Sequence, residues 1–283
     1  MDGANGLLTT RVSTHVNILS ISAIVFYIAA AFSQVRFLTD VSSHPAQKWL
    51  LPFGGVAVTL HAVVLYYSMV SSIGVNLGIF NAASLVTWVI ALLLLISILR
   101  KPVENLTVIL FPLAALTIGF DNFFHTERIL AADKAFGVKL HIFSSIIAYS
   151  LLTIAVLQAT FLAIQDNYLH NKHPSWVMKH LPPLQVMEQL FFQVMGAGFF
   201  LLTVSLVSGF IFIQDIFGQH LVHKTVLSLV AWAMFAVLLW GHIRYGWRGR
   251  KFIRWNLLSF LMLMLAYFGS KLVLELILQI RLY

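Results

Sequence analysis

The sequence of residues 49–99 is WLLPFGGVAVTLHAVVLYYSMVSSIGVNLGIFNAASLVTWVIALLLLISIL, and it contains no Asp, Glu, Lys or Arg. A helix needs about 20 apolar residues to cross a hydrocarbon core about 30 Å thick, so this stretch is too long for one crossing. Small and polar residues interrupt its middle, at Ser71, Ser72, Gly74 and Asn76. The stretch therefore predicts two membrane-spanning helices that form a hairpin.

The composition of the whole chain agrees with a membrane protein. Of its 283 residues 60% are hydrophobic and 10% are charged, whereas about a quarter of the residues of a soluble domain are charged. The formal net charge of +8 reflects an excess of basic residues, which in a membrane protein more often sets the topology than binds nucleic acid. No basic stretch is interleaved with aromatic residues on a polar background, so we exclude nucleic acid as a partner. The chain has no cysteine, which excludes disulfides, thiolate metal sites and cysteine nucleophiles.

Apolar runs with few charged residues predict the remaining helices. We predict an all-α, polytopic membrane protein, a bundle of about eight transmembrane helices that forms a single domain over residues 1–283. The lipid bilayer is then its first partner. The predicted helices lie near residues 14–35, 49–70, 77–99, 105–120, 138–164, 187–213, 224–243 and 255–279.

The distribution of Lys and Arg predicts the orientation of the chain. The loop after the seventh helix has the strongest cluster, and smaller groups follow the first, third and fifth helices. Cytoplasmic loops carry such an excess of basic residues, so these four loops should be cytoplasmic and both termini should lie on the outer side. The cluster consists of Arg244, Arg248, Arg250, Lys251 and Arg254.

Several histidines lie within or at the ends of the predicted helices. His61 is near the middle of the second helix, His141 is at the outer end of the fifth, and His242 closes the seventh. Polar groups within a span are costly, which makes them functional candidates, and neutral imidazole is a common ligand of metals and of haem iron. The alternative for each is a hydrogen bond to a neighbouring helix. No nucleophile–base set, phosphate loop or zinc-protease motif accompanies them, so an enzyme has no positive support.

Four ordered segments resemble the cytochrome c assembly family. They are Asn76-Leu-Gly-Ile-Phe-Asn81 ending at Trp88, Leu140-His-Ile-Phe followed by Tyr149-Ser, Pro182-Pro-Leu-Gln running to Glu188, and Gly246-Trp-Arg-Gly249. The likeness covers about residues 76–270. It is to the family that includes the CcmC, CcsA and HemX proteins, and it is strongest to the YpjD-type inner-membrane proteins.

The resemblance implies a protein of the bacterial inner membrane with haem as its cofactor or cargo. His141 matches the family's first external haem ligand, His242 lies near its membrane-embedded histidine, and His61 is the most deeply embedded candidate. The chain departs from the family in its external loop at residues 214–223, which lacks the tryptophan-rich haem-holding motif, and near Lys271, where a second external histidine is expected. These departures favour handling of haem over its attachment to a cytochrome.

The leading hypothesis is therefore a membrane protein that binds or handles haem in cytochrome c biogenesis or haem trafficking. Other cytochrome c maturation components are then expected partners. One alternative is a transporter or channel for a small solute, with His61 on its polar path. The other is a non-catalytic partner that stabilises a membrane complex through its arginine-rich loop.

Overall fold

The computed structural model describes residues 2–39, 48–71, 74–124, 126, 129–131, 135–170, 183–212, 222–269 and 272, with the backbone alone for 2–14, 169 and 170. Within these residues, eight helices are long and apolar enough to cross a membrane, which confirms the predicted all-α fold. The chain forms two compact units, Met1–Ala132 and Asp133–Tyr283. Each unit contains four of these helices.

The first unit consists of four helices and a small sheet. Helix α1 packs against α2 and α4, and α3 packs against α2 and α4. Tyr27 of α1 and Phe111 of α4 are fully buried at the centre, with ring centroids 5.3 Å apart. The helices are α1 (Asp2–Thr39), α2 (Leu50–Met69), α3 (Ile79–Ile98) and α4 (Thr107–Phe123, after a 3₁₀ turn at Glu104–Leu106).

A three-stranded antiparallel sheet joins α2 to α3, where the sequence predicted a bare helical hairpin. Its strands are β1 (Val70–Ser71), β2 (Gly74–Asn76) and β3 (Ile129–Ala131), in the order β1-β2-β3. Asn76 lies just before α3, and its Oδ1 accepts a hydrogen bond from the Gly78 amide at 3.0 Å. Its Nδ2 donates to the Thr126 carbonyl at 3.1 Å. The sheet is thereby tied to the start of α3.

The second unit contains α5 (Phe136–His170), α6 (Leu184–Phe212), α7 (Val222–Tyr245) and α8 (Arg250–Met264), which continues through a π-helical turn (Leu265–Gly269). Small residues let α5 and α6 approach closely, since a Cβ atom added at Gly198 would lie 2.9 Å from the Leu152 side chain. Gly196 has open space around it. Close backbone approach at small residues is the usual way in which membrane helices pack.

Two glycines shape the turn between α7 and α8. Gly246 and Gly249 have φ angles of 66° and 81°, a left-handed conformation that residues with a side chain rarely adopt. The Gly246 amide donates to the carbonyl of His242 at 2.9 Å, which ends α7. Helix α8 then begins at Arg250, five residues before the predicted start. This turn places His242 beside the basic loop.

Candidate functional site

His61 lies at the junction of three helices in the first unit. It is fully buried, with 0% of its surface exposed. Its Nδ1 atom is 3.2 Å from the hydroxyl of Tyr27 on α1, and its Nε2 atom is 2.9 Å from the hydroxyl of Ser84 on α3. Both ring nitrogens are therefore hydrogen-bonded within the unit, and neither is open to a ligand in this arrangement.

His141 lies one turn into α5 and is partly buried against α6. Its Nδ1 atom is 2.7 Å from the backbone carbonyl of Ser205. A carbonyl can only accept a hydrogen bond, so Nδ1 carries the proton and Nε2 has the free lone pair. No hydrogen bond to Nε2 occurs among the residues that the structure describes. Gly209 lies against the ring, and a Cβ atom added there would be 2.9 Å from Nδ1.

His242 lies in the last turn of α7 and has the same protonation pattern. Its Nδ1 atom is 3.1 Å from the carbonyl of Trp247, so the proton is again on Nδ1. The ring stacks on Phe192 of α6, with centroids 3.2 Å apart and planes inclined by 12°. It borders a cavity of about 540 Å³. The other residues that line this cavity are polar or charged, apart from Phe192: Gln185, Glu188, Gln189, Gln193 and Arg248.

An ion pair closes one side of this polar cavity. The Arg248 guanidinium lies 3.4 Å from the carboxylate of Glu188, whose side chain is 16% exposed against 64% for Arg248. Glu188 lies one turn inside α6, paired with a cation from the α7–α8 turn.

The structure does not bring the two candidate histidines of the second unit together. His141 contacts Ser205 and His242 contacts Phe192, and these two positions of α6 are about 20 Å apart at 1.5 Å per residue. The two axial ligands of one haem both bind its iron atom, so they must lie close together. His141 and His242 are too far apart to form such a pair here. His61 lies in the first unit.

Sequence reasoning found the histidines but missed their partners. Tyr27 and Ser84 are ordinary residues of apolar helices, and the Ser205 carbonyl belongs to the backbone, so none of these three partners has a sequence signal. The polar cavity beside His242 did have a sequence signal. Gln185, Glu188, Gln189 and Gln193 recur at helical spacing near the start of a membrane span, and such a stripe on one face indicates a polar cavity or interface.

Comparison with known proteins gives this geometry a context. A family model described as "Cytochrome C assembly protein" matches residues 49–278. The chain belongs to the cytochrome c assembly protein family. This match confirms the resemblance on which the haem hypothesis depends, and membership of the family supports a role in cytochrome c biogenesis.

Individual members of the family are also similar to this chain. The inner membrane protein YpjD of Escherichia coli is 34% identical over 224 residues, which cover 78% of this chain and 85% of YpjD. The cytochrome c biogenesis protein CcsA of Mesostigma viride is 25% identical over 190 residues, covering 57% and 62% of the two chains. No solved structure gives a significant match. The spans and the YpjD similarity together support a multi-pass inner membrane protein.

Proposed function

We propose that this protein binds haem as a cargo in cytochrome c biogenesis or haem trafficking, and that it does not itself attach haem to a cytochrome. The observation that carries this proposal is the state of His141. Its Nδ1–H donates to the Ser205 carbonyl at 2.7 Å, which leaves Nε2 unprotonated. Neutral imidazole in this form is the usual protein ligand of haem iron.

The surroundings of His141 fit the role of an iron ligand. Histidines that bind metals usually donate their second ring N–H to a carbonyl or carboxylate, because this bond fixes the tautomer and the orientation of the ring. Ser205 supplies that carbonyl. The topology prediction places the first turns of α5 at the outer side of the membrane. His141 would thus hold haem at the outer face.

His242 is the second proposed ligand. Its Nε2 atom is likewise unprotonated, and its ring orientation is fixed by the Trp247 carbonyl and by stacking on Phe192. The cavity beside it offers Arg248, a cation that can pair with a carboxylate. Since His242 is at the opposite end of the unit from His141, the two residues would bind haem independently.

His61 is the third candidate, and its geometry differs from the other two. It would bind iron only after releasing Tyr27 or Ser84, because both nitrogens are engaged in hydrogen bonds. We therefore propose that His61 holds α1, α2 and α3 together in the arrangement described. Substitution of His61 separates this structural role from iron ligation.

Gly209 provides a test that leaves every histidine in place. In Gly209→Ala the new methyl group would lie 2.9 Å from Nδ1 and 3.0 Å from Cε1 of His141, so the ring must move and its bond to Ser205 must weaken. Loss of such a supporting contact costs roughly 10- to 100-fold in metal affinity. In a haemin titration of the detergent-purified variant, monitored at the Soret band, we expect about tenfold weaker binding.

The matched control is Gly196→Ala on the same helix, where the added methyl group meets no atom within 4 Å. This variant should bind haemin like the unaltered protein, and its melting temperature should not fall. Equal affinity in both variants would contradict a role for His141. A preparation of the unaltered protein that is colourless and takes up no added haemin would overturn the proposal as a whole.

The two alternative functions give different results in the same preparations. A small-solute transporter would show flux in proteoliposomes that depends on His61, without any Soret band. An assembly partner would co-purify with another membrane protein and lose it when Arg248 and Arg250 are replaced. Arg250 is bound to Asp166 at 3.2 Å, so its removal also frees a carboxylate of α5.

We also propose that both termini lie on the periplasmic side. The basic cluster between α7 and α8 supports this orientation, and the eight candidate spans among the described residues, an even number, support termini on the same side. A protease-cleavable tag fused before Met1 or after Tyr283 should be removed in intact spheroplasts. A tag inserted between α7 and α8 should survive until the membrane is broken, and the reverse pattern would contradict the orientation.

A further inference from the structure

A second cavity in the second unit contains none of the proposed haem-ligating histidines. It lies between α7 and α8 and has a volume of about 740 Å³. Val237 and Leu238 of α7 form one side, and Phe252 and Trp255 of α8 form the other. We call it the α7–α8 groove. Its lining is almost entirely apolar, so its occupant must bury hydrocarbon.

Cations lie at one end of the α7–α8 groove. Lys251 and Arg248 are its only charged lining residues among those described. The Arg248 charge is shared with Glu188 in the ion pair. In the described part of the unit, the carboxylates of Glu188 and Asp166 pair with Arg248 and Arg250, and neither forms an ion pair with Lys251. The groove therefore combines an apolar wall with an uncompensated positive charge.

Two tryptophans place this charged end at the membrane surface. Trp247 and Trp255 line the groove and remain 45% and 55% exposed. Tryptophan is enriched at the level of the lipid headgroups, where its ring contacts both apolar and polar surroundings. Ala233, at the other end of the groove, is about 18 Å from the end of α7 at 1.5 Å per residue. This distance is the reach of a lipid tail into one leaflet.

We propose that the α7–α8 groove binds an anionic phospholipid of the cytoplasmic leaflet. Lys251 and Arg248 would hold the phosphate, and Val237, Leu238 and Phe252 would contact an acyl chain. Basic pockets between membrane helices on the cytoplasmic side are known to take acidic headgroups in this way. A zwitterionic lipid fits less well, because its choline or ethanolamine cation would meet Lys251. This inference uses the orientation proposed above and does not require haem binding, although Arg248 also lines the cavity beside His242.

Lipid retention by the full-length protein tests the proposal. The protein is incorporated into nanodiscs that contain equal amounts of phosphatidylglycerol and phosphatidylcholine, and the retained lipids are counted by native mass spectrometry. We expect phosphatidylglycerol to be retained, and Lys251→Gln to weaken its retention about fivefold. That factor corresponds to about 1 kcal/mol, the contribution of one basic residue at a membrane surface.

Arg254→Gln is the matched control. It removes the same charge from the same helix, but Arg254 does not line the groove, so this variant should retain phosphatidylglycerol like the unaltered protein. Val237→Trp is a second variant, which fills the apolar part and leaves the cations in place. It should lower lipid retention without changing the net charge.

Three outcomes would overturn the proposal. Equal losses in Lys251→Gln and Arg254→Gln would show a general attraction to the basic surface instead of a site. Equal retention of phosphatidylcholine would remove the role of charge. Displacement of the lipid by one equivalent of haemin in His242→Ala, which keeps every residue that lines the groove, would assign the groove to haem.

Discussion

Replacing His141 with alanine is expected to abolish haem binding at the outer end of the second unit. The substitution removes Nε2 of His141, which is unprotonated because the ring proton is on Nδ1 and is donated to the Ser205 carbonyl. Since loss of a supporting contact costs up to about 100-fold in metal affinity, loss of the ligand itself should cost at least about 100-fold. The measurement is a haemin titration of the purified variant, read at the Soret band and checked by a pyridine haemochrome assay.

His223→Ala is the control for the His141 variant. His223 is an exposed histidine in the first turn of α7, and its removal should leave the spectrum unchanged. Added imidazole should restore a low-spin spectrum in His141→Ala, because the free ligand can replace a missing side chain but cannot repair a misfolded helix. A spectrum and affinity that are unchanged in His141→Ala would rule out this ligand.

Replacing His61 with alanine is expected to destabilise the protein by about 2–4 kcal/mol. The change removes two buried hydrogen bonds, to Tyr27 and Ser84, and leaves a cavity between three helices. The measurement is unfolding of the detergent-solubilised protein by heat or denaturant. Under the proposed structural role, haem content per folded molecule should remain unchanged, because both ring nitrogens of His61 are engaged in hydrogen bonds.

Thr59→Ala is the control on the same helix. The Thr59 hydroxyl is exposed and, among the described residues, bonds only the Gly55 carbonyl of α2 itself, so its loss should change stability by less than about 0.5 kcal/mol. Ser84→Ala should fall between the two variants, since it removes one of the two bonds of His61. A His61→Ala protein of normal stability that had lost its haem would contradict the structural role and make His61 a ligand.

The helices were predictable because the membrane imposes a simple rule on the sequence. A charge-free run of sufficient length has few alternatives to a transmembrane helix, and the predicted run 49–70 differs from Leu50–Met69 by one residue at each end. The sheet was not predictable in this way. Its strands have two or three residues each, and β3 comes from a segment that follows α4. Pairing between such short, distant pieces leaves no periodic pattern.

The candidate site was predictable only in part, for a related reason. A histidine inside an apolar helix is visible in the sequence, and so is the polar stripe that begins at Gln185. The state of each imidazole depends on what faces it in space. Tyr27 precedes His61 by 34 positions, and Ser205 follows His141 by 64. Contacts of this kind depend on how the helices pack, and this packing cannot be read from the pattern of a single sequence. The loop at 214–223, apart from residues 222 and 223, and Lys271 lie outside the described residues.

The bonds of His61 also constrain how the chain is inserted into the bilayer. The His61 imidazole of α2 is hydrogen-bonded to Tyr27 of α1, which is made earlier, and to Ser84 of α3, which is made later. Released into lipid before α3 emerges from the ribosome, α2 would expose a ring nitrogen to hydrocarbon, which is unfavourable. The translocon should therefore retain α2 until α3 arrives and release the three segments as a group.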